Sequence, residues 1–396
     1  MAGFATQIAA NAAKIMVVTV LLIPALLATG GRQEGVGENR NLANFPERPR
    51  DWDSIVKFPA QLDLWINDHF GFRDLLVKLN NRVRYTLFKQ FPTMQVIEGK
   101  GGRIFLAAHS TAHAPYAAIT QACGYEYEHV EGIAKQLSAF DAGFRKLGVD
   151  AKMLVAPSSP VLYRNELPTW LAQRCDPSTE PVPRVLASDI LTPQARQRVY
   201  YPIDDMRAIE RTANVIPVTW FHWSGTGPRM VAEASVRHFW DAKARATPTL
   251  HTSQQSLPSD IAHLFPGVEL NSSVEVADFK ASGITECGGP SCYPQLQAAM
   301  AKLGDVSRYI NPLAPNRRLV MLSDSFGRHI AGWYAPYYRE VIHLSTNNLA
   351  QLDDSEIHGL RSAFFQSAEH THVLFLYHDG SLLSGRLAVD LGKLGI

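Results

Sequence analysis

The C-terminal part of this chain alternates short apolar runs with helical patterns, and that order leaves few folds open. Residues 318–322 (RLVML), 340–344 and 373–377 read as strands, separated by helical stretches at 327–334 and 355–368. Consecutive strands joined through helices need crossover connections, so they lie parallel in a sheet covered on both faces. Upstream, a helical stretch at 127–147 leads into an apolar strand at 151–156 that stops at Pro157. A further short strand is expected to end near Val218, followed by a helix from about Gly227 to Trp240. The expected fold class is therefore α/β, a parallel sheet flanked by helices. A 46% hydrophobic and 19% charged composition excludes a disordered chain.

Flanking this pattern are segments of different character. Over 54–88 the period is helical, with Ile55, Phe58, Leu62, Trp65 and Ile66 on one side. Val96 and Ile97, a Gly99-Lys100-Gly101-Gly102 turn, and Ile104 to Leu106 read as a β-hairpin. That glycine cluster lacks the spacing and terminal Lys-Ser/Thr of a phosphate-binding loop. Residues 247–316, rich in Ser, Gly and Pro, read as an insertion with strands of its own. The expected organisation is a signal peptide or signal anchor over 1–30, a helical segment with the hairpin over 31–110, and the main domain over 111–396.

The N-terminus and the cysteines point to export. Lys14 precedes an apolar run at 15–28 that is short of the about 20 residues a spanning helix needs, with small residues Ala28 and Gly30 at its end. If uncleaved, the run extended by residues 8–13 is long enough to anchor the chain in the inner membrane. The expected location is the periplasm. Four cysteines are present. Cys287 and Cys292 enclose a tight turn suited to a small disulfide, which leaves Cys123 to pair with Cys175; four cysteines allow three connectivities. The spacing does not suit zinc. With 38 basic against 37 acidic residues there is no cationic excess for nucleic acid, and no coenzyme motif is present.

One serine stands at the strand-end position where α/β sheets place their ligands. Ser325 lies in SDSFG (323–327), directly after the 318–322 strand and before a predicted helix whose N-terminus favours a developing oxyanion. A serine needs a base to become nucleophilic. His222, in WFHWSGTG (220–227), follows the predicted strand near Val218 and is placed at the same sheet edge. Asn347 and Asn348, ending HLSTNN (343–348), are candidate oxyanion donors beside the Ser325 N–H, and Trp220 and Trp223 are candidate sugar-stacking residues.

These two motifs resemble those of the alginate O-acetyltransferase family of the AlgX/AlgJ type, in which a DxHW(S/T) motif precedes a GDSF motif on an SGNH hydrolase-like domain with rearranged motif order. FHWS followed by SDSF matches that order. ENRNLANFP (38–46), NDHFGFRDLL (67–76), VIEGKGGRIFL (96–106) and AKMLVAPSSPVLYRNELPTW (151–170) are similar to the family's N-terminal half. The resemblance implies acetyl transfer to hydroxyls of an exported, alginate-like polysaccharide through an acetyl-serine. It also implies, as partners, a membrane-bound acyltransferase that donates the acetyl group and an exopolysaccharide synthesis and export complex.

Two positions depart from the family's pattern. Trp220 stands where the triad aspartate belongs, and Ser323 replaces the glycine before Asp324-Ser325. Asp379, in YHDG (377–380), is the substitute orienter that position suggests. An acetylesterase and a non-catalytic polysaccharide-binding factor are the alternative functions. A G-x-S-x-G-like reading of SDSFG would instead nominate Asp353 and His378 as the partners of Ser325.

Overall fold

The computed structural model describes residues 43–69, 73–365 and 370–396, with positions 11, 12, 14 and 18. The predicted signal segment 1–30 lies almost entirely outside the described residues. Among the described residues no helix is long and apolar enough to cross a membrane. The chain forms two compact units, one of Met1–Thr93 with Ile261–Glu269, the other of Met94–Asp260 with Leu270–Ile396.

In the first unit, the helical period of 54–88 resolves into two helices, α1 (Trp52–His69) and α2 (Arg73–Phe88). Phe58, Leu62 and Trp65 share the half-buried side of α1, while Ile55 and Ile66 are exposed. Asn81 on α2 is buried, and its side-chain amide donates to the Pro266 carbonyl at 2.9 Å.

The second unit begins with the hairpin of β1 (Val96–Glu98) and β2 (Ile104–Leu106) and is built on a seven-stranded sheet in the order β4-β3-β11-β9-β10-β8-β7, with β8 (Val306–Ile310) and β7 (Thr285–Gly288) at one edge. Five strands run parallel: β4 (Val199–Tyr200), β3 (Ala151–Ala156), β11 (Thr371–His378), β9 (Arg318–Ser323) and β10 (Glu340–Ser345). Their apolar runs are continuous because both faces are covered, yet the side chains still alternate. Leu319 and Met321 of β9 join one buried cluster with Trp223 and Tyr334, whereas Val320 and Leu322 join the other with Phe140 and Phe144 of helix α3 (Val130–Lys146).

Three expectations need correction. The stretch 215–218 forms no strand: the Val218 carbonyl accepts from Ile104 N–H at 2.8 Å, but side chains take up the backbone groups of Ile216. Ile216 N–H donates to the Tyr163 hydroxyl at 3.0 Å, and its carbonyl accepts from Arg103 Nη1 at 2.9 Å. The β-strand of that region is instead the two-residue β4; helix α4 (Thr226–Phe239) follows as expected. Residues 247–316 are only partly an insertion. Strands β5 (His251–Pro258) and β6 (Asn271–Asp278) pair as a separate antiparallel hairpin, but β7 (Thr285–Gly288) and β8 (Val306–Ile310) extend the central sheet at its β10 edge. Finally, 327–337 forms 3-10 turns (Gly327–His329 and Ala331–Tyr337) in place of an α-helix. Aligned peptide dipoles therefore do not explain anion stabilisation beside Ser325.

Two disulfides, Cys123–Cys175 and Cys287–Cys292, use all four cysteines.

Candidate active site

Strand β9 occupies the middle of the sheet, and the chain passes to β10 on one side of it and then crosses to β11 on the other. Such a reversal opens a crevice at the carboxyl ends of the strands. The SDSFG turn stands there. Ser325 is half-buried, and its hydroxyl donates to His222 Nε2 at 2.8 Å. His222 Nδ1–H donates in turn to Asp260 Oδ2 at 2.6 Å. Two backbone donors also converge on this carboxylate, Phe221 N–H on Oδ1 and His222 N–H on Oδ2, each at 2.9 Å. With the carboxylate on Nδ1, the imidazole is fixed in the tautomer whose Nε2 can take the serine proton. Burial works against the charge of Asp260, but the bond and charge of His222 and the two backbone donors outweigh it and hold the carboxyl below its ordinary range.

Asp260 was missed by sequence reasoning. It lies 38 residues beyond His222, in the connection between β5 and β6 within the stretch read as an insertion. The hairpin delivers it: Thr219 is tied to β6 through its N–H and hydroxyl on Ser272 Oγ, at 3.1 and 2.9 Å. Asp379, the proposed substitute, serves elsewhere. Its carboxylate accepts from Ser158 N–H and Oγ at 2.9 and 3.0 Å and from Gly380 N–H at 2.7 Å, locking the ends of β3 and β11 together. Burial raises its pKa despite these donors.

The Asp353–His378 alternative does not assemble either. Asp353 caps the exposed start of helix α5 (Asp354–Phe364), accepting from Glu356 N–H. His378 Nδ1 donates to Asp324 Oδ2 at 2.6 Å, and Asp324 also accepts from the N–H groups of His378 and Phe326 at 2.8 and 2.9 Å. This pair is buried. Burial opposes both charges, but each partner prevails on the other, so the carboxyl is held low and the imidazole high.

The remaining predicted site residues have other surroundings. Asn348 spends its amide on the Leu303 carbonyl at 3.3 Å and accepts from Gln351, and exposed Asn347 bonds through its N–H to Ser345 Oγ; neither joins the network of Ser325. The Ser325 N–H makes no hydrogen bond among the described residues, so it is available to an oxyanion. Trp223 is fully buried and its indole N–H donates to the Phe326 carbonyl at 2.8 Å, bracing the turn rather than offering a face to a sugar. Trp220 is also buried and meets His329 edge-on at 6.0 Å. His329 stacks on His222 with centroids 4.9 Å apart, and burial, then the neighbouring His222, lowers its pKa to about 3. Ser323 donates to the Asp324 carbonyl and accepts from His343 Nε2, both at 2.8 Å.

One atom each of His222, Asp260 and His329 lie within 4.8 Å of one another. The two imidazoles are nearly parallel, with 20° between planes, so their in-plane lone pairs do not converge on a common ion.

No protein-family model and no curated protein sequence matches this chain. Solved structures similar to it include PatB1 of Bacillus cereus, at 12% identity and TM-score 0.47, covering 72% of this chain and 96% of that one. The O-acetyltransferase domain of Pseudomonas putida AlgJ is similar at 12% identity and TM-score 0.42, covering 76% and 99%. AlgX of Pseudomonas aeruginosa is similar at 10% and 0.40, covering 72% of this chain and 61% of that one. At such identities and scores the functional reading rests on the side chains of the site itself.

Proposed function

We propose that this protein is a periplasmic serine O-acetyltransferase of SGNH-like type with rearranged motif order, which places acetyl groups on hydroxyls of an exported, alginate-like polysaccharide. The observation that carries the reading is the unbroken chain of hydrogen bonds from Ser325 through His222 to Asp260 at the crevice of the sheet. His222 Nε2 takes the proton of Ser325 as its Oγ forms a bond to the acetyl carbon, and the donor's leaving group departs with that proton. The Ser325 N–H faces the negative charge that develops on the acetyl oxygen. In the second half, an acceptor hydroxyl gives its proton to His222 and attacks the acetyl carbon, and Ser325 is released reprotonated. A membrane-bound acyltransferase is the proposed source of the acetyl group, within an exopolysaccharide synthesis and export complex. The paired cysteines suit an oxidising compartment.

Intact-mass measurement tests this. With p-nitrophenyl acetate the protein is expected to gain about 42 Da, one acetyl group replacing one proton in a covalent intermediate. Ser325→Ala is expected to gain nothing. Adding deacetylated alginate is expected to speed loss of the adduct and leave acetyl on the polymer; release as acetate alone would indicate an esterase. Equal labelling of wild type and Ser325→Ala would overturn the catalytic reading.

A further inference from the structure

The 3-10 turns that follow the nucleophile line a cleft of about 240 Å³. Arg328, His329, Gly332 and Trp333 come from these turns and Glu275 joins them from β6, all within the second unit. The cleft begins beside the base, because the His329 ring that lines it stacks on His222 with centroids 4.9 Å apart. Its volume falls just below the about 300–1,000 Å³ of clefts that enclose drug-sized ligands, and leaves room for a unit the size of a sugar ring. Phe279 and Trp333 give it an aromatic wall, with ring centroids 6.5 Å apart. Gly332 lets that wall close up, since a Cβ there would lie 2.3 Å from Phe279 Cζ. A second cleft of about 230 Å³ shares Glu275 and Trp333 with the first, so a polymer held in one has a place for its next unit.

The charges of the first cleft do not balance. Glu275 is matched, as its carboxylate accepts from Thr226 Oγ1 at 2.7 Å and pairs with Arg229 Nε at 3.2 Å. His329 is neutral, with its pKa at about 3, and its imidazole makes no hydrogen bond among the described residues. One of its ring nitrogens is therefore free to donate and the other to accept. Arg328 is exposed, and its guanidinium makes no ion pair or hydrogen bond among the described residues. A guanidinium carries its donors in a planar fork that matches the two oxygens of a carboxylate. We infer that this cleft is the acceptor subsite, in which Arg328 holds the carboxylate of an acidic sugar and His329 orients a hydroxyl of the same ring beside His222. The inference deepens the acetyl-transfer reading and rests on it. A neutral sugar leaves the guanidinium without a partner, so the cleft selects by charge as well as by shape. Arg328 is a specificity-determining residue, since it takes no part in the proton transfers among Ser325, His222 and Asp260.

The test uses the full chain and two probes, an oligouronate and the same oligosaccharide with its carboxyl groups reduced to alcohols. Equilibrium binding of each is measured at fixed ionic strength, and then transfer to each from the acetyl-enzyme formed beforehand. The wild type is expected to bind the acidic probe about 10- to 100-fold more tightly than the neutral one, the range set by one charge-assisted hydrogen-bonded contact, and to transfer acetyl to it by preference. Arg328→Gln is expected to lose that preference in both measurements. Arg328→Lys, which keeps the charge without the fork, is expected to fall between the two. Arg184→Gln, at an exposed position of the helix Pro181–Ala187, removes the same net charge and is expected to keep the wild-type preference. Equal binding of the two probes by the wild type, or equal losses in Arg328→Gln and Arg184→Gln, would overturn the inference while leaving the chemistry of Ser325 standing. A wild type that binds the acidic probe through Arg328 but is never acetylated at Ser325 would overturn the acetyl-transfer reading and, with it, the role of the cleft as an acceptor subsite.

Discussion

The molecule contains two histidine–carboxylate pairs with the same 2.6 Å bond and opposite uses. His378 and Asp324 come from the ends of two adjacent central strands, which the sheet brings together without help from any loop. His222 and Asp260 come from two connections, one after an irregular segment and one inside a hairpin turn. By position in the sheet, the first pair is the better catalytic candidate. The proposed chemistry falls to the second, because His222 presents Nε2 to Ser325, whereas His378 is buried and lies flat on Phe326 at 4.8 Å and 12°. A strand-end pair in a packed sheet is a strut. A base that must give and receive protons needs an open ring nitrogen, and the looser elements supply it.

The contrast is broken most directly by exchanging the acids. Asp260→Ala is expected to slow acetylation of Ser325 by up to about 10⁴-fold, the effect that loss of a triad orienter can have. Asp379→Ala is expected to leave that rate within about threefold and to lower the unfolding midpoint instead, since several donors lose their acceptor. Comparable rate losses in the two variants would return Asp379 to the site. A second, smaller effect separates the histidines. His378→Ala strands Asp324 as an unpaired buried charge and is expected to cost about 3–5 kcal/mol of stability in urea unfolding, as breaking a buried pair does. The variant, kept cold and folded, should still form the acetyl adduct. Abolished labelling in a protein that remains folded would show that the strut is part of the chemistry.

The smallest expected effect concerns pH. His329 and His343 are held neutral, burial being the main cause, with pKa values of about 3 and about 4. Because these folded-state values lie below the ordinary one, the unfolded chain takes up protons first on acidification. Stability from these two groups is present above about pH 6.5 and falls as pH drops toward 4. The pairing of His378 acts in the opposite sense, since a raised imidazole pKa adds stability that is lost as pH rises through it. His343→Gln is therefore expected to shrink the difference in melting temperature between pH 7 and pH 5. An unchanged difference would exclude His343 as a source of acid sensitivity.

What the sequence discloses depends on how far apart the cooperating groups lie. The central strands could be read because a run such as 318–322 carries its burial in its own composition. Ser325 and His222 were legible because each sits in a short motif, and the tight turn between Cys287 and Cys292 suggested its own closure. Asp260 was not. Nothing near residue 260 marks it as a partner of residue 222, since the pairing is made by the β5–β6 hairpin and by Ser272 reaching Thr219. The 215–218 stretch misled for a related reason. Its apolar residues suit a strand, but Tyr163 and Arg103, distant in sequence, take up both backbone groups of Ile216, so that the contact of Val218 with Ile104 is not continued as a ladder.

The serine at position 323 carries a consequence for which sequences this turn can accept. Its hydroxyl fills the space against Gly327, where an added Cβ would fall 1.8 Å from that hydroxyl, 2.3 Å from the Ser323 Cβ and 3.0 Å from His343 Nε2. Positions 323, 327 and 343 thus form one lock with three tumblers. A side chain can enter at 327 only after 323 has been reduced to glycine, and that step strips His343 of the hydroxyl that now accepts its Nε2–H. The residue that position 327 can accept is therefore set by the side chain four places before it.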